Sequence, residues 1–254
     1  MKKSNEVKIR IYRAINNTIA CNRFAQGHSD VLNSYGIKKV TSANTSWFTD
    51  PDVYIIMVES KSGNEIYGGA RFHLKNNEHR LPIEDALCDM DENILALVGE
   101  KNEFKTGELC GLWNSRNMSG SGLSILLTRV GVAKAGIIMA NKLKLKAIFI
   151  LCAPWTVKMV KNTGFQIEES VGNKGTFIYP NPDLIATLLI VKDIETLNKA
   201  DATERKHILD LRINPNQKKI EHGPKGLIEV EYDLVIHKND DLNIEPKTEK
   251  EALI

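Results

Sequence analysis

The chain has 254 residues, of which 42% are hydrophobic and 26% charged, enough to bury a full core in one domain or in one domain with an appendage. Its 34 Lys+Arg stand against 32 Asp+Glu, a formal charge of +2, which is too small an excess for a protein that coats nucleic acid. With 17 Gly and 8 Pro it is neither collagen-like nor wholly disordered.

The first ten residues are polar and lack an apolar run, so no signal peptide is expected and the protein reads as cytoplasmic. Lys8 to Ile15 reads as a strand. Asn16 or Asn17 caps a segment with helical spacing that runs toward Tyr35 and stops at Gly36. Thr41 to Ser46 is turn-rich, and Asp50-Pro51-Asp52 breaks the chain again. Val53 to Glu59 and Glu65 to Leu74 form a hairpin around Lys61-Ser62-Gly63-Asn64. Pro82 opens a helix with Glu84 and Asp85 in its first turn, the end where carboxylates are favoured.

Gly107 to Ser115 reads as a strand and Arg116 to Ser121 as a loop of small residues. A helix then starts at Leu123, with apolar positions at Leu126, Leu127, Val130, Ile137, Ile138 and Leu143. Arg129 and Lys134 in that apolar stretch argue against a membrane span. Lys146 to Leu151 is a buried-type strand. Pro154-Trp155 opens a helix closed at Gly164, with strands at Phe165 to Glu169 and Ala186 to Val191. Farther on, Glu195 to Leu211 is helical in composition. From Gly226 to Ile236 the residues Ile228, Val230, Tyr232, Leu234 and Ile236 share one face of a half-buried strand. The charge-dense end, residues 238–254, reads as a flexible tail.

The four cysteines, Cys21, Cys88, Cys110 and Cys152, have neither Cys-x-x-Cys spacing nor a His at ligand distance. They read as reduced thiols, and no metal is expected. The chemistry concentrates where a strand, a loop of small residues and a helix follow one another. A helix start leaves backbone N–H groups unpaired and carries partial positive charge. A Ser/Gly loop before it lets phosphate oxygens approach those amides, and Ser119-Gly120-Ser121-Gly122-Leu123-Ser124 has that character. The same residues also serve as plain turn and cap residues in many chains.

Residues 8 to 192 resemble the GNAT superfamily of N-acyltransferases. Glu108-Leu109-Cys110-Gly111-Leu112-Trp113 looks like the family's fourth strand. Gly122 to Leu127 looks like the end of its pyrophosphate loop and the start of the next helix. Lys161-Asn162-Thr163-Gly164-Phe165 looks like its Gly-Phe ending, and Gly68-Gly69-Ala70-Arg71-Phe72 fits its third strand. The resemblance implies an α/β (α+β) fold: a mixed, mostly antiparallel central sheet flanked by helices, with a C-terminal helix-strand extension. The corresponding division is residues 1–192 as the acyltransferase domain, 193–237 as the extension packed on it, and 238–254 as the tail. It also implies a fourth strand that splays from the fifth near Trp113, leaving a gap for pantetheine.

The family's leading Gln/Arg falls on Ser119 and its closing Gly/Ala on Ser124. Its general-acid tyrosine falls on Val160. One branch has such a degenerate loop: autoinducer (acyl-homoserine-lactone) synthases and N-acyl amino acid synthases. That branch also carries an Asp-rich approach to the hairpin, a Gly-Ala-Arg strand and a Glu opening the fourth strand, like Asp50 and Asp52, Gly69-Ala70-Arg71 and Glu108 here. Its Arg three residues after the Glu is Gly111 in this chain, and its N-terminal Arg/Phe/Trp set has only a loose counterpart in Arg23, Phe24 and Trp47.

The resemblance implies direct attack of an amine on a thioester. Acyl-CoA or acetyl-CoA would be the co-substrate, or an acyl-carrier protein the donor, and a small amine or amino acid the acceptor. Glu108 is the candidate base or amine ligand, with a salt-bridged strand-edge Glu as the alternative. Arg71 would hold an acceptor carboxylate with its fork, or else pair with Glu108 or Asp52. Asp50 and Asp52 read as a turn, His73 as a buried or surface histidine and Trp113 as core. Leu112, Trp113 and Asn114, then Arg116, then Ser119, Gly120, Ser121, Gly122, Leu123 and Ser124, are the candidate donor-binding residues. Lys142, Lys144 and Lys146 read as a solvated face. Competing functions are a short-chain acetyl-CoA N-acetyltransferase and a catalytically silent acyl-CoA-binding module. No nucleic-acid partner and no membrane span are expected, and the chain is taken as a monomer or homodimer.

Overall fold

The computed structural model describes residues 5–37, 44–99, 105–140 and 144–236. Part of the turn-rich stretch before Ser46, Lys142 and the tail at 238–254 lie outside the described residues.

Strand β1 (Asn5–Arg13) leads through a single 3-10 turn into helix α1 (Thr18–Ser34). Asn17 is the cap: its side-chain oxygen accepts the Ala20 N–H at 2.8 Å. Strands β2 (Val53–Ser60) and β3 (Ile66–Leu74) form the expected hairpin. Helix α2 (Pro82–Leu87) starts at its proline, and Glu84 Oε2 accepts the Leu81 N–H at 2.6 Å. Helix α3 (Asn93–Val98) follows; it is too short for periodicity to have announced it.

Strand β4 (Lys105–Asn114), helix α4 (Leu123–Ala140), strand β5 (Leu145–Cys152) and helix α5 (Pro154–Asn162) come next, close to the expected bounds. The strand expected at Phe165 to Glu169 is reduced to β6 (Gln166–Ile167). Strand β7 (Thr176–Ile178), not anticipated, pairs with β8 (Ile185–Val191).

The C-terminal helix α6 (Ala202–Ile213) starts later than Glu195, because Asp201 caps it by accepting the Thr203 N–H at 2.9 Å. Strand β9 (Asn216–Gly223) was not anticipated, and it forms a hairpin with β10 (Gly226–Asp233). A charged edge strand with no apolar alternation gives no period-2 signal.

These strands form one sheet in the order β6-β8-β5-β4-β3-β2-β1-β10-β9, with β7 also on β8. Most neighbours are antiparallel; β4–β5 and β1–β10 are parallel. The C-terminal extension therefore lengthens the sheet: Val230 of β10 faces Val7 of β1 in register. On one face lies α4, whose Leu123, Leu126, Leu127 and Val130 pack with Ile56, Phe72 and Leu109. Helix α6 covers its far side, which explains why α4 is apolar all round.

The two cations inside α4 are held by specific partners. Arg129 reaches Glu204 of α6 at 2.9 Å and Glu221 of β9 at 2.8 Å, and Tyr232 Oη donates to Glu221 at 2.8 Å. Lys134 Nζ lies 4.7 Å above the Tyr54 ring. The opposite face of the sheet carries α1, α2 and α3. Among the described residues no helix is long and apolar enough to cross a membrane.

Candidate active site

Strands β4 and β5 pair from Lys105↔Leu145 to Glu108↔Phe149, and there the ladder stops although both strands continue. The divergence thus begins five residues before Trp113. Its local cause lies on β4. Gly111 has φ +56°, a left-handed conformation that a side chain resists, and the β3–β4 register shifts between Gly69 and Arg71. The bulge turns β4 away from β5 and leaves backbone groups of both strands facing a gap.

A cavity of about 740 Å³ opens there. Cys110 to Asn114 line it from β4, and Ile150, Leu151 and Cys152 from β5. His28, Val31 and Leu32 of α1, with Pro82, Ile83 and Ala86 of α2, close it on the face opposite α4. Thr156 and Trp155 of α5 and the segment from Tyr179 to Ala186 form the remaining side.

Glu108 sits at the point of divergence and lines this cavity. It is 2% exposed, and its Oε2 accepts the Ile83 N–H at 2.8 Å. Burial pushes its carboxyl up to about 8; the Ile83 N–H and the Arg71 charge pull the other way, while Glu84 and Asp85 push it further up. The strand is interior and no ion pair to Glu108 is found among the described residues, so the salt-bridged strand-edge alternative does not hold. His73 stands opposite Glu108 in the β3–β4 register, buried on the same face, with its imidazole held well below its usual range by burial and by Arg71.

Arg71 is placed otherwise than expected. It is 1% exposed and absent from the cavity wall. Its guanidinium lies 4.5 Å from the Trp47 ring centroid and 5.7 Å from that of Phe24. Phe24 meets Trp47 edge-on at 5.8 Å and Trp113 at 6.1 Å. Phe24 and Trp47 are thus brought together at Arg71, whereas Arg23 binds Glu59 at 2.9 Å. Asp52 pairs with Lys105 at 3.4 Å, and Asp50 accepts the Asp52 N–H and holds His79 at 3.3 Å, as turn residues do.

The candidate donor residues divide into two groups. Leu112, Trp113, Asn114, Arg116, Ser119 and Ser124 line the cavity. Asn114 Nδ2 donates to Ser124 Oγ at 2.6 Å, tying the end of β4 to the start of α4. Trp113 is both 5% exposed and part of the wall, and its Nε1 is buried with no hydrogen-bond partner among the described residues.

Gly120, Ser121, Gly122 and Leu123 lie elsewhere. The β9–β10 turn covers the loop: Gly223 and Pro224 pack against Gly122, and Lys225 Nζ donates to the Ser119 carbonyl. Ser121 Oγ is used within the turn, on the Met118 carbonyl, and the Leu123 side chain is core. Of these four only backbone is left to meet a ligand, and the Ser121 N–H is already given to the Met118 carbonyl at 3.1 Å.

Val160, at the position of the family's tyrosine, is fully buried in the core. Tyr179 lines the cavity from the far loop. Cys110 and Cys152 are free thiols that burial pushes up to about 12. Lys144 and Lys146 are exposed, as expected of a solvated face.

Sequence reasoning missed His28, Tyr179 and the Ile83 amide. His28 carried a signal, since it follows Cys21 and Phe24 at helical spacing on the buried face of α1. The other two depend on chain segments meeting across the sheet, which no local pattern reports.

No family model and no curated protein matches the chain. Solved structures do. An N-acyl amino acid synthase from uncultured soil microbes, FeeM, is 14% identical with a TM-score of 0.50, the match covering 73% of this chain and 90% of that one. A CoA-dependent acyl-homoserine lactone synthase, BjaI, solved with SAM and isopentyl-CoA, is 12% identical with a TM-score of 0.50, covering 80% and 89%. At such identities the likeness is one of fold, and the fold of this chain is GNAT-like.

Proposed function

We propose that this chain is a GNAT-type N-acyltransferase, moving an acyl group from a CoA or carrier-protein thioester to the amine of a small molecule or amino acid. The observation that carries this reading is the parting of β4 and β5 at Glu108 and Phe149, with a cavity running into the gap. Backbone groups parted in this way need partners, which water or a bound molecule entering the gap can supply. The motif resemblance and the fold shared with FeeM and BjaI support the same conclusion.

In this reading the pantetheine arm lies in the gap and the acceptor amine meets the thioester at Glu108. The Glu108 carboxylate takes a proton from the acceptor ammonium. The free amine attacks the thioester carbon; the C–N bond forms, the C–S bond breaks and the thiol leaves. Backbone N–H groups freed on β4 face the oxyanion. Arg116, Ser119 and the amides at the start of α4 face the donor's phosphates.

The walls favour an acyl group longer than acetyl. Val31 and Leu32 of α1 and Ile83 and Ala86 of α2 give the lining an apolar side. Each methylene buried there adds about 0.8 kcal/mol.

The test is a native mass measurement with a mixed acyl-CoA pool, followed by free-thiol detection with amines as acceptors. Retention of acyl-CoA and thiol release that depends on the amine are expected. Retention without thiol release over a broad amine panel would identify a silent binding module instead.

A further inference from the structure

His28 of α1 faces the cavity, and the reaction above gives it no task. It is 6% exposed, yet its ring makes no hydrogen bond among the described residues; its ring neighbour is Phe24 at 5.9 Å. The side chain is tucked under the helix, yet its ring nitrogens are not among the sealed, unpaired polar atoms of the described residues, so they stay open to whatever fills the cavity. The open volume beside it is the place where a partner would sit. Glu108 lines the same cavity from β4, across the gap between helix and sheet.

We propose, on the basis of the acyltransferase reading, that His28 binds the acceptor through an uncharged polar group next to the reacting amine, such as an amide, ester or hydroxyl. The groups around it decide the chemistry. Burial and the Arg71 guanidinium on β3 lower its imidazole to about 4, and Glu108 and Cys110 face the cavity from β4. A neutral imidazole offers one N–H donor and one nitrogen acceptor. It has no charge to set against a carboxylate. An acceptor held at both ends would present its amine to Glu108 and its amide or hydroxyl to His28.

The experiment compares matched acceptors with a fixed acyl-CoA: a plain alkylamine, an amino alcohol, an amino acid amide and the free amino acid. The wild type should favour the amide or amino alcohol over the alkylamine by about tenfold, the worth of one good hydrogen bond. H28L should lose that preference through a raised KM and leave the alkylamine unchanged. H28Q, which keeps donor and acceptor without titrating, should restore most of it. Equal losses for every acceptor, no loss for any, or a wild-type preference for the free amino acid would overturn the assignment. A wild type that acylates no amine from any acyl-CoA sinks the acyltransferase reading and this assignment with it, whereas an active wild type indifferent to the acceptor's polar group sinks the His28 assignment alone.

Discussion

A Cβ atom on Gly27 of α1 would stand 2.2 Å from Cη2 and 2.6 Å from Cζ2 of Trp113 on β4. The helix backbone therefore rests directly on the indole that walls the cavity. Gly27→Ala sets two effects against each other. Replacing a helical glycine by alanine gains up to about 1 kcal/mol of helix propensity. Forcing a methyl into a rigid ring costs about 1–3 kcal/mol. The clash should win, because the indole is itself pinned by Phe24. Denaturation should show a net loss of stability, and the stabilisation by acyl-CoA should shrink with it. An unchanged midpoint with full ligand stabilisation would mean that α1 can shift freely.

Glu108→Gln keeps an oxygen for the Ile83 N–H and removes the titration. With the carboxyl raised to about 8, the base form of the wild type grows as pH rises through 8. Wild-type kcat/KM should climb over that range. The variant should be slower by about 10²–10⁴-fold and flat with pH. A variant of near-normal rate would remove Glu108 from catalysis.

The same shift has a consequence for stability. Folded Glu108 holds its proton more tightly than the unfolded chain, whose value is near 4.5. Its favourable contribution is complete below about 4.5 and is lost as pH rises through about 8. Relative to Glu108→Gln, the wild type should lose stability between pH 5 and 9, on the order of a few kcal/mol. Parallel pH–stability curves for the two proteins would contradict the buried carboxyl.

Cys110 and Cys152 line the cavity with thiols raised to about 12 by burial, so at pH 8 only about 10⁻⁴ of each is thiolate. Iodoacetamide at pH 8 should modify Cys88, outside the cavity wall, well before either. Near pH 10, acyl-CoA should slow labelling of Cys110. Peptide mass mapping reads both outcomes; rapid labelling of Cys110 at pH 7 would show that the site is wetter than its burial implies.

Arg129→Met leaves the buried Glu221 and the half-buried Glu204 without their cation. The Arg129 guanidinium is held above its ordinary range by those carboxylates despite the opposing effect of burial. Removing one member of a buried pair costs about 3–5 kcal/mol. The loss should loosen α6, β9 and β10 from α4, seen as earlier proteolytic cleavage in the 193–236 stretch. A loss below about 1 kcal/mol would show that the sheet pairing of β10 with β1 alone holds the extension.

Local order was legible in the residues themselves. Apolar spacing placed α1 and α4, alternation placed β10, and Pro82, Gly36 and Asn17 marked helix ends, because each signal is confined to a few consecutive side chains. The strand, small-residue loop and helix around Trp113 pointed to the part of the chain that holds the cavity. The reach of Arg71 was misjudged for a physical reason. Its strand and face were readable, but whether a guanidinium turns toward a cleft or into aromatic rings depends on Phe24 and Trp47, which arrive from distant segments. The cover over Gly120 to Gly122 was not readable, since the turn that packs on them comes from a hundred residues downstream.

What this polypeptide settled alone is its longer helices and strongly patterned strands, its near-neutral charge and the presence of a carboxylate in β4. Only tertiary packing decided that β4 leaves β5 at Glu108, that this carboxyl is dry enough to hold its proton near neutrality, and that a histidine from α1 looks into the same space. Periodicity is a property of neighbours along the chain, whereas desolvation and cavity shape arise from atoms that sequence order keeps far apart.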